Sequence, residues 1–239
     1  MGKIVVTDLT RFNNRSIACL AGLDVVTGKC VRPLGGGQTY FQYDSLKKHN
    51  IQPGSILEGE FECMNASAPH TEDYSYEGKV SLVGTATSAD FLQYLESDAV
   101  GTILNGFKAE PANRVFPIHQ TPPVSIITLR LKQPSTQLQI VEDKFHDSKI
   151  KAHVIDDKGF KLSFTPITDL GFFDHAMALR KSDPGLKQLN QFIQKQEVVY
   201  LRVGLSRAYT KDPSRSGFWV QINGIYTFPS YRTDLRTYV

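Results

Sequence analysis

Two stretches near the C-terminus, VVYLRVGLSR (198–207) and FWVQINGIYTFP (218–229), decide the fold class. Each is a run of β-branched, aromatic and other apolar residues long enough for one strand, and the polar segment AYTKDPSRSG (208–217) between them is a loop. In an extended strand Phe218, Val220 and Ile222 share one face, and Trp219, Gln221 and Asn223 share the other. The first face belongs in a core. The second carries an indole and two amides, groups that can stack a nucleobase and read its edge. The competing reading has Trp219 capping the core and Asn223-Gly224 forming a hairpin turn.

Upstream the same pattern repeats. Lys3–Thr7, Ser16–Asp24 and Lys29–Pro33 are short apolar runs, the last two joined by a turn at Thr27-Gly28. Ser55–Met64 alternates, with Glu58, Glu60 and Glu62 on a solvated face. Residues 65–78 read as loop and Lys79–Gly84 as a short strand. Ser88 caps a predicted helix over Ala89–Glu96, a second helical piece follows over Asp98–Leu104, and Val124–Leu131 is a strand. Lys149–Ile155 and Phe160–Phe164 flank a turn at 156–159. Helices follow over Leu170–Arg180 and from Asp183-Pro184 to Gln196, the second burying Leu186, Leu189, Phe192 and Ile193. Many short strands with inserted short helices predict a mainly β (α+β) protein of two tandem OB-like small barrels, residues 1–134 and 135–239.

Composition limits the function classes. No run of about 18 apolar residues occurs, which argues against a transmembrane helix, and the N-terminus lacks the apolar stretch of a signal peptide. Cys19, Cys30 and Cys63 are odd in number and widely spaced, so they predict buried reduced thiols and a cytoplasmic setting rather than disulfides or a zinc knuckle. Net charge is +3 and is unevenly placed: residues 200–239 hold six Lys/Arg against two Asp. A basic, aromatic hairpin suits a polyanion partner.

The candidate nucleic-acid contacts are therefore Arg202, Arg207, Lys211, Arg215, Trp219, Gln221, Asn223 and Tyr226, with Arg11 and Arg32 for anions in the first half. Each has a structural alternative. Arg202 can be a buried Arg paired to a carboxylate such as Asp169, and Lys211 and Arg215 can be a solvated hairpin tip. GGG (35–37) lacks the phosphate-loop and dinucleotide patterns and reads as a connector. His146-Asp147 and Asp174-His175 are isolated pairs, Asp156-Asp157 is explained by its turn, and no catalytic or metal-binding signature is present. The expectation is no cofactor, no metal and no catalytic residue.

The stretch LTRFNNRSIACLAGLDVVTGKCVRP (9–33), with TPITDLGFF (165–173), LRVGLSR (201–207) and WVQINGIYTFP (219–229), resembles prokaryotic dual oligonucleotide-binding-fold proteins found among nucleic-acid-modification and antiviral gene clusters. The resemblance lies at both ends of the chain and implies two such barrels and a nucleic-acid-related role, without an active site. Taken with the basic, aromatic hairpin, it leads to the expectation of an accessory protein that binds single-stranded or structured nucleic acid beside nucleases, helicases or modification enzymes. A protein–protein adaptor using the Glu58/Glu60/Glu62 face and a metal-dependent nuclease or nucleotide-processing enzyme stay open as alternatives.

Overall fold

A computed structural model describes residues 2–36, 39–132, 137–143, 149–182, 184–232, 234 and 238. The elements run β1 (Gly2–Arg11), β2 (Ile17–Asp24), β3 (Cys30–Leu34), β4 (Phe41–Gln42), α1 (Tyr43–Lys48), β5 (Ser55–Cys63), β6 (Asp73–Thr85), α2 (Ser88–Ser97), β7 (Ala99–Val100), α3 (Ile103–Phe107) and β8 (Val115–Phe116). They continue through β9 (Ile126–Lys132), β10 (Leu138–Glu142), β11 (Ile150–Ile155), β12 (Lys161–Pro166), α4 (Leu170–Arg180), α5 (Gly185–Gln194), β13 (Val198–Leu205) and β14 (Phe218–Phe228). No described helix is long and apolar enough to cross a membrane.

The first half closes on itself. Pairing runs β1-β5-β6-β3-β2 and returns from β2 to β1, a five-stranded ring in which only β3 and β6 are parallel. Such a partly Greek-key ring is the oligonucleotide-binding barrel. Ile4, Val6, Leu9, Leu20, Val31 and Leu57 fill it, and α1 contributes Leu46. The turn joining β2 and β3 is held by the Asp24 carboxylate, which accepts from the amides of Val26 (3.1 Å) and Thr27 (2.7 Å), while Gly28 takes φ of 70°.

The second half is a half-barrel. A five-stranded sheet, β7-β9-β13-β14-β8, and a three-stranded sheet, β10-β11-β12, wrap one core, and an Ile167–Ile222 bridge touches both. Helices α4 and α5 seal it through Phe172, Ala176, Leu189 and Ile193. Strand pairing runs across the expected division: β9 pairs with β13 from Ile126–Gly204 to Lys132–Val198. Position 134 itself lies outside the described residues.

Several local expectations change. Residues 73–78 belong to β6, because β5 continues far enough to pair Glu60–Cys63 with Tyr74–Glu77. Thr87, one residue before Ser88, caps α2: its hydroxyl accepts from the Asp90 amide at 3.1 Å and the Asp90 carboxylate accepts from the Thr87 amide at 3.3 Å. Helix α3 starts at Ile103, since Ala99 and Val100 pair with β9. Asn223-Gly224 lies inside β14 and makes no turn. Among the thiols, Cys19 and Cys30 are partly covered and Cys63 is exposed, all three free.

A third core binds the two barrels. Val5 and Leu23 from the first barrel and Phe91 and Leu95 from α2 pack against Tyr200, Tyr226 and Phe228 of the second. Polar links reinforce it. The Glu72 carboxylate accepts from the Ser125 amide (2.7 Å), the Ser125 hydroxyl (2.9 Å) and the Ile126 amide (3.0 Å), fixing the start of β9. The Arg11 amide donates to the Thr168 carbonyl at 2.9 Å.

Candidate nucleic-acid interface

Along β13, Val199, Leu201, Val203 and Leu205 point into the second core, so Tyr200 and Arg202 point the other way, toward the first barrel. That face is covered. Arg202 is fully buried, with Nε donating to Asp8 Oδ2 at 2.7 Å, one terminal nitrogen to Thr128 Oγ1 at 2.7 Å and the other to Cys30 Sγ at 3.2 Å. Burial alone would lower the guanidinium's pKa, but the Asp8 carboxylate beside it more than offsets this and the net shift is upward. Burial pushes the Cys30 thiol up to about 12, which keeps it protonated and inert. The partner is Asp8 and not Asp169. Asp169 instead caps α4, accepting from the Phe172 amide, and holds the Ile225 amide, both at 3.0 Å.

Two β-bulges shape the seam. In β1, Val6 pairs with Gly22 and Asp8 with Ala21, so Thr7 is an extra residue. In β14, Gly224 pairs with Arg202 and Ile222 with Val203, so Asn223 is the extra residue. Each bulge shifts the phase of alternation and re-aims the residues after it. Asp8 therefore faces the second barrel while Leu9 returns to the first core. Ile225 re-enters the second core, and Tyr226 turns to the seam. Gly204 leaves room for the Asn223 side chain: a Cβ there would meet Asn223 Nδ2 at 2.2 Å, so one of the two would have to shift.

Between the barrels, beside both bulges, lies a cleft of about 470 Å³. Four aromatic rings line it: Phe12 and Tyr40 from the first barrel, Tyr209 and Trp219 from the second. Its polar lining includes Asp8, Thr10, Ser206, Arg207, Gln221 and Asn223. Trp219 is half-buried, its indole nitrogen donating to the Arg215 carbonyl at 3.1 Å and its ring lying 5.3 Å from the Arg215 guanidinium carbon. The Asn223 carbonyl oxygen accepts from the Thr168 hydroxyl at 3.0 Å. Arg207 is 42% exposed and also reaches Asp73 at 2.7 Å, tying the basic loop to the first barrel.

A second concave surface adjoins the first through Phe12. It is lined by Arg11, Lys149, Lys151 and Thr168 among others. Arg11 lies with its guanidinium carbon 3.4 Å over the Phe173 ring, and its Nε has no hydrogen-bond partner. Burial and the nearby Arg15 lower its pKa. Lys151 meets Asp143 at 3.7 Å.

The proposed contacts thus divide. Trp219, Gln221, Asn223 and Arg207 come together at the cleft, with Lys211 and Arg215 exposed on the loop beside it. Arg32 borders the cleft but is buried, engaged by Asp73 at 2.5 Å and His70 Nδ1 at 3.0 Å, because residues 32 and 73 are direct partners in the β3–β6 ladder. Tyr226 is buried too, donating to the Thr7 carbonyl at 2.6 Å and packing edge-on against Phe91 at 5.0 Å. Arg202 and Tyr226 therefore stand behind the cleft as scaffold. Arg11 sits on the adjoining surface. Sequence reasoning missed Asp8, Phe12, Tyr40 and Tyr209; the signal that could have found Asp8 is an acidic residue in a strand that also carries the apolar Ile4, Val5, Val6 and Leu9.

Asp174 pairs with Arg15 at 2.5 Å, and His146-Asp147 lies outside the described residues. No group of three or more described His, Cys, Asp or Glu side chains is placed to hold a metal. Asp156 Oδ1 accepts from the amides of Lys158 and Phe160, both at 3.0 Å, and Asp156 Oδ2 accepts from that of Ile103 at 2.9 Å, which fixes a turn.

The model of the dual OB-containing domain family matches residues 3–225, and the chain belongs to that family. No curated protein matches it. Among solved structures it is similar to a murine DNA-binding protein bound to double-stranded DNA, at 9% identity over 93% of this chain and 97% of that one, with a TM-score of 0.33. A likeness that low carries no argument about function.

Proposed function

We propose that this dual-OB protein binds single-stranded nucleic acid, with unstacked bases entering the cleft between its barrels. The observation that carries the reading is the convergence of four aromatic rings, two amides and a half-exposed Arg on one concavity. Aromatic platforms with a cationic rim are how such strands are held, each stacked base contributing about 1–3 kcal/mol. The backbone would run past Arg207, Lys211 and Arg215 on one side and past Arg11, Lys149 and Lys151 on the other, with Phe12 between them. The family resemblance extends this to an accessory role beside nucleic-acid-modification or defence enzymes.

Fluorescence anisotropy with labelled single-stranded DNA and RNA tests it. Affinity should fall with salt at a log-log slope of about 0.7 per phosphate contacted, hence about 4 for the six cations along the path, about 2 of it from the three loop cations. Charge reversal at Lys211 and Arg215 should flatten that slope, and Trp219→Ala should weaken binding about 5- to 100-fold with the fold intact. Absence of binding to any oligonucleotide, or binding indifferent to salt, would rule the reading out.

A further inference from the structure

Arg11 is a cation without an anion of its own. Its guanidinium carbon lies 3.4 Å over the Phe173 ring, and Asp174, the carboxylate whose charge acts on it, is taken by Arg15 at 2.5 Å. The Arg11 Nε is enclosed and has no hydrogen-bond partner. The two terminal nitrogens are also unbonded among the described residues, and they are not enclosed. Arg11 lines a concavity of about 200 Å³ together with Asn13, Lys149 and Lys151, and no described carboxylate lines it. Lys151 reaches the buried Asp143 at 3.7 Å, yet burial still lowers its pKa. Three cations held together with incomplete solvation repel one another. An anion in the concavity relieves that repulsion and supplies acceptors for their N–H groups.

We propose that this concavity seats the terminal phosphate of the bound strand, a phosphomonoester, while the bases next to it stack in the aromatic cleft. The proposal rests on the proposed function and specifies which part of the strand lies on this surface. Phe12 lines both concavities, so the phosphate site opens beside a stacking position. Charge decides between a strand end and a passing phosphate. A phosphodiester carries a single negative charge and two free oxygens. A phosphomonoester carries about two charges at neutral pH and three acceptor oxygens. Arg11, Lys149 and Lys151, less the charge of Asp143, leave a net charge of about +2 (3 − 1) and offer donors to three oxygens. That complement matches the monoester and exceeds the diester. The contact with Phe173 holds the guanidinium in place, so little side-chain freedom is lost when the phosphate arrives.

Competition against one labelled strand tests this on the full chain. The competitors are oligothymidylates of equal length that carry a 5′-phosphate, a 3′-phosphate or hydroxyls at both ends. One of the two phosphorylated strands should bind about tenfold more tightly than the hydroxyl strand, the worth of about one added charge-assisted hydrogen bond. Which of the two gains gives the direction of the strand across the seam. Arg11→Gln should remove most of that advantage. Lys149→Gln breaks no ion pair among the described residues and should also shrink it, which keeps the test open if Arg11→Gln does not fold. Equal affinity of all three strands for the wild type overturns the end site and leaves strand binding standing. An equal gain from either phosphate marks charge alone and refutes it too. An advantage that survives both substitutions places the phosphate elsewhere and likewise defeats the proposal. No binding by any strand removes the end site and the proposed function together.

Discussion

Replacing Arg202 by Ala distinguishes a scaffold from a contact residue. The side chain is fully buried and makes three hydrogen bonds, to Asp8, Thr128 and Cys30. Truncation leaves the Asp8 carboxylate, itself 1% exposed, with only the Thr7 hydroxyl as donor. Breaking a buried pair from one side costs about 3–5 kcal/mol, because the surviving charge is stranded in a poorly solvating interior. For a chain of this size each kcal/mol lowers Tm by about 2–4 °C, so the variant should melt about 6–20 °C below wild type. Arg202→Lys keeps the charge and loses the fork, and should fall between the two. The double variant Arg202→Met with Asp8→Leu removes both charges and should recover most of the loss, since two desolvation costs disappear together. Thermal melts followed by circular dichroism, with urea titrations, measure all of these. If Arg202→Ala melts within about 2 °C of wild type while oligonucleotide affinity collapses, the residue touches ligand and the reasoning fails.

Two further outcomes test the seam between the barrels. Glu72→Ala leaves the Ser125 and Ile126 amides without their acceptor and should destabilise the protein by at least about 2 kcal/mol in urea denaturation. Burial, then Arg32 and Arg207, lowers the pKa of His70 from 6.5 to about 4, with Asp73 opposing them. The unfolded chain therefore takes up this proton first as pH falls. The histidine's contribution to stability is complete above pH 6.5 and is lost as pH drops toward 4. His70→Gln should accordingly show a flatter Tm profile across that window than wild type.

The strands were legible because their signal is local. Period-two alternation identified Phe218, Val220 and Ile222 as core and grouped Trp219, Gln221 and Asn223 on the opposite face, where the cleft lies. Alternation fails where the chain breaks phase. The bulge at Asn223 is invisible as a pattern, since Asn-Gly is also the commonest hairpin signal, and it carries Tyr226 into the seam. Nor can one strand show what covers its second face. The outer face of β13 is outer only for its own barrel, and the first barrel packs on it, so an Arg read as a phosphate contact is an interior ion pair. The same holds for Arg32, whose partner Asp73 is 41 residues away and becomes its neighbour only through the parallel β3–β6 pairing. Asp8, Phe12 and Tyr40 escaped notice because the cleft is assembled from both barrels, and no single segment contains it.

Ultraviolet crosslinking of a bound single-stranded oligonucleotide, followed by peptide mass spectrometry, tests the central claim most directly. Adducts should map to peptides carrying Phe12, Tyr40, Tyr209 and Trp219, and should fade when salt is raised. Adducts concentrated instead on the Glu58–Glu62 face of β5, or an absence of adducts under conditions where binding is measured, would contradict a nucleic-acid site between the barrels.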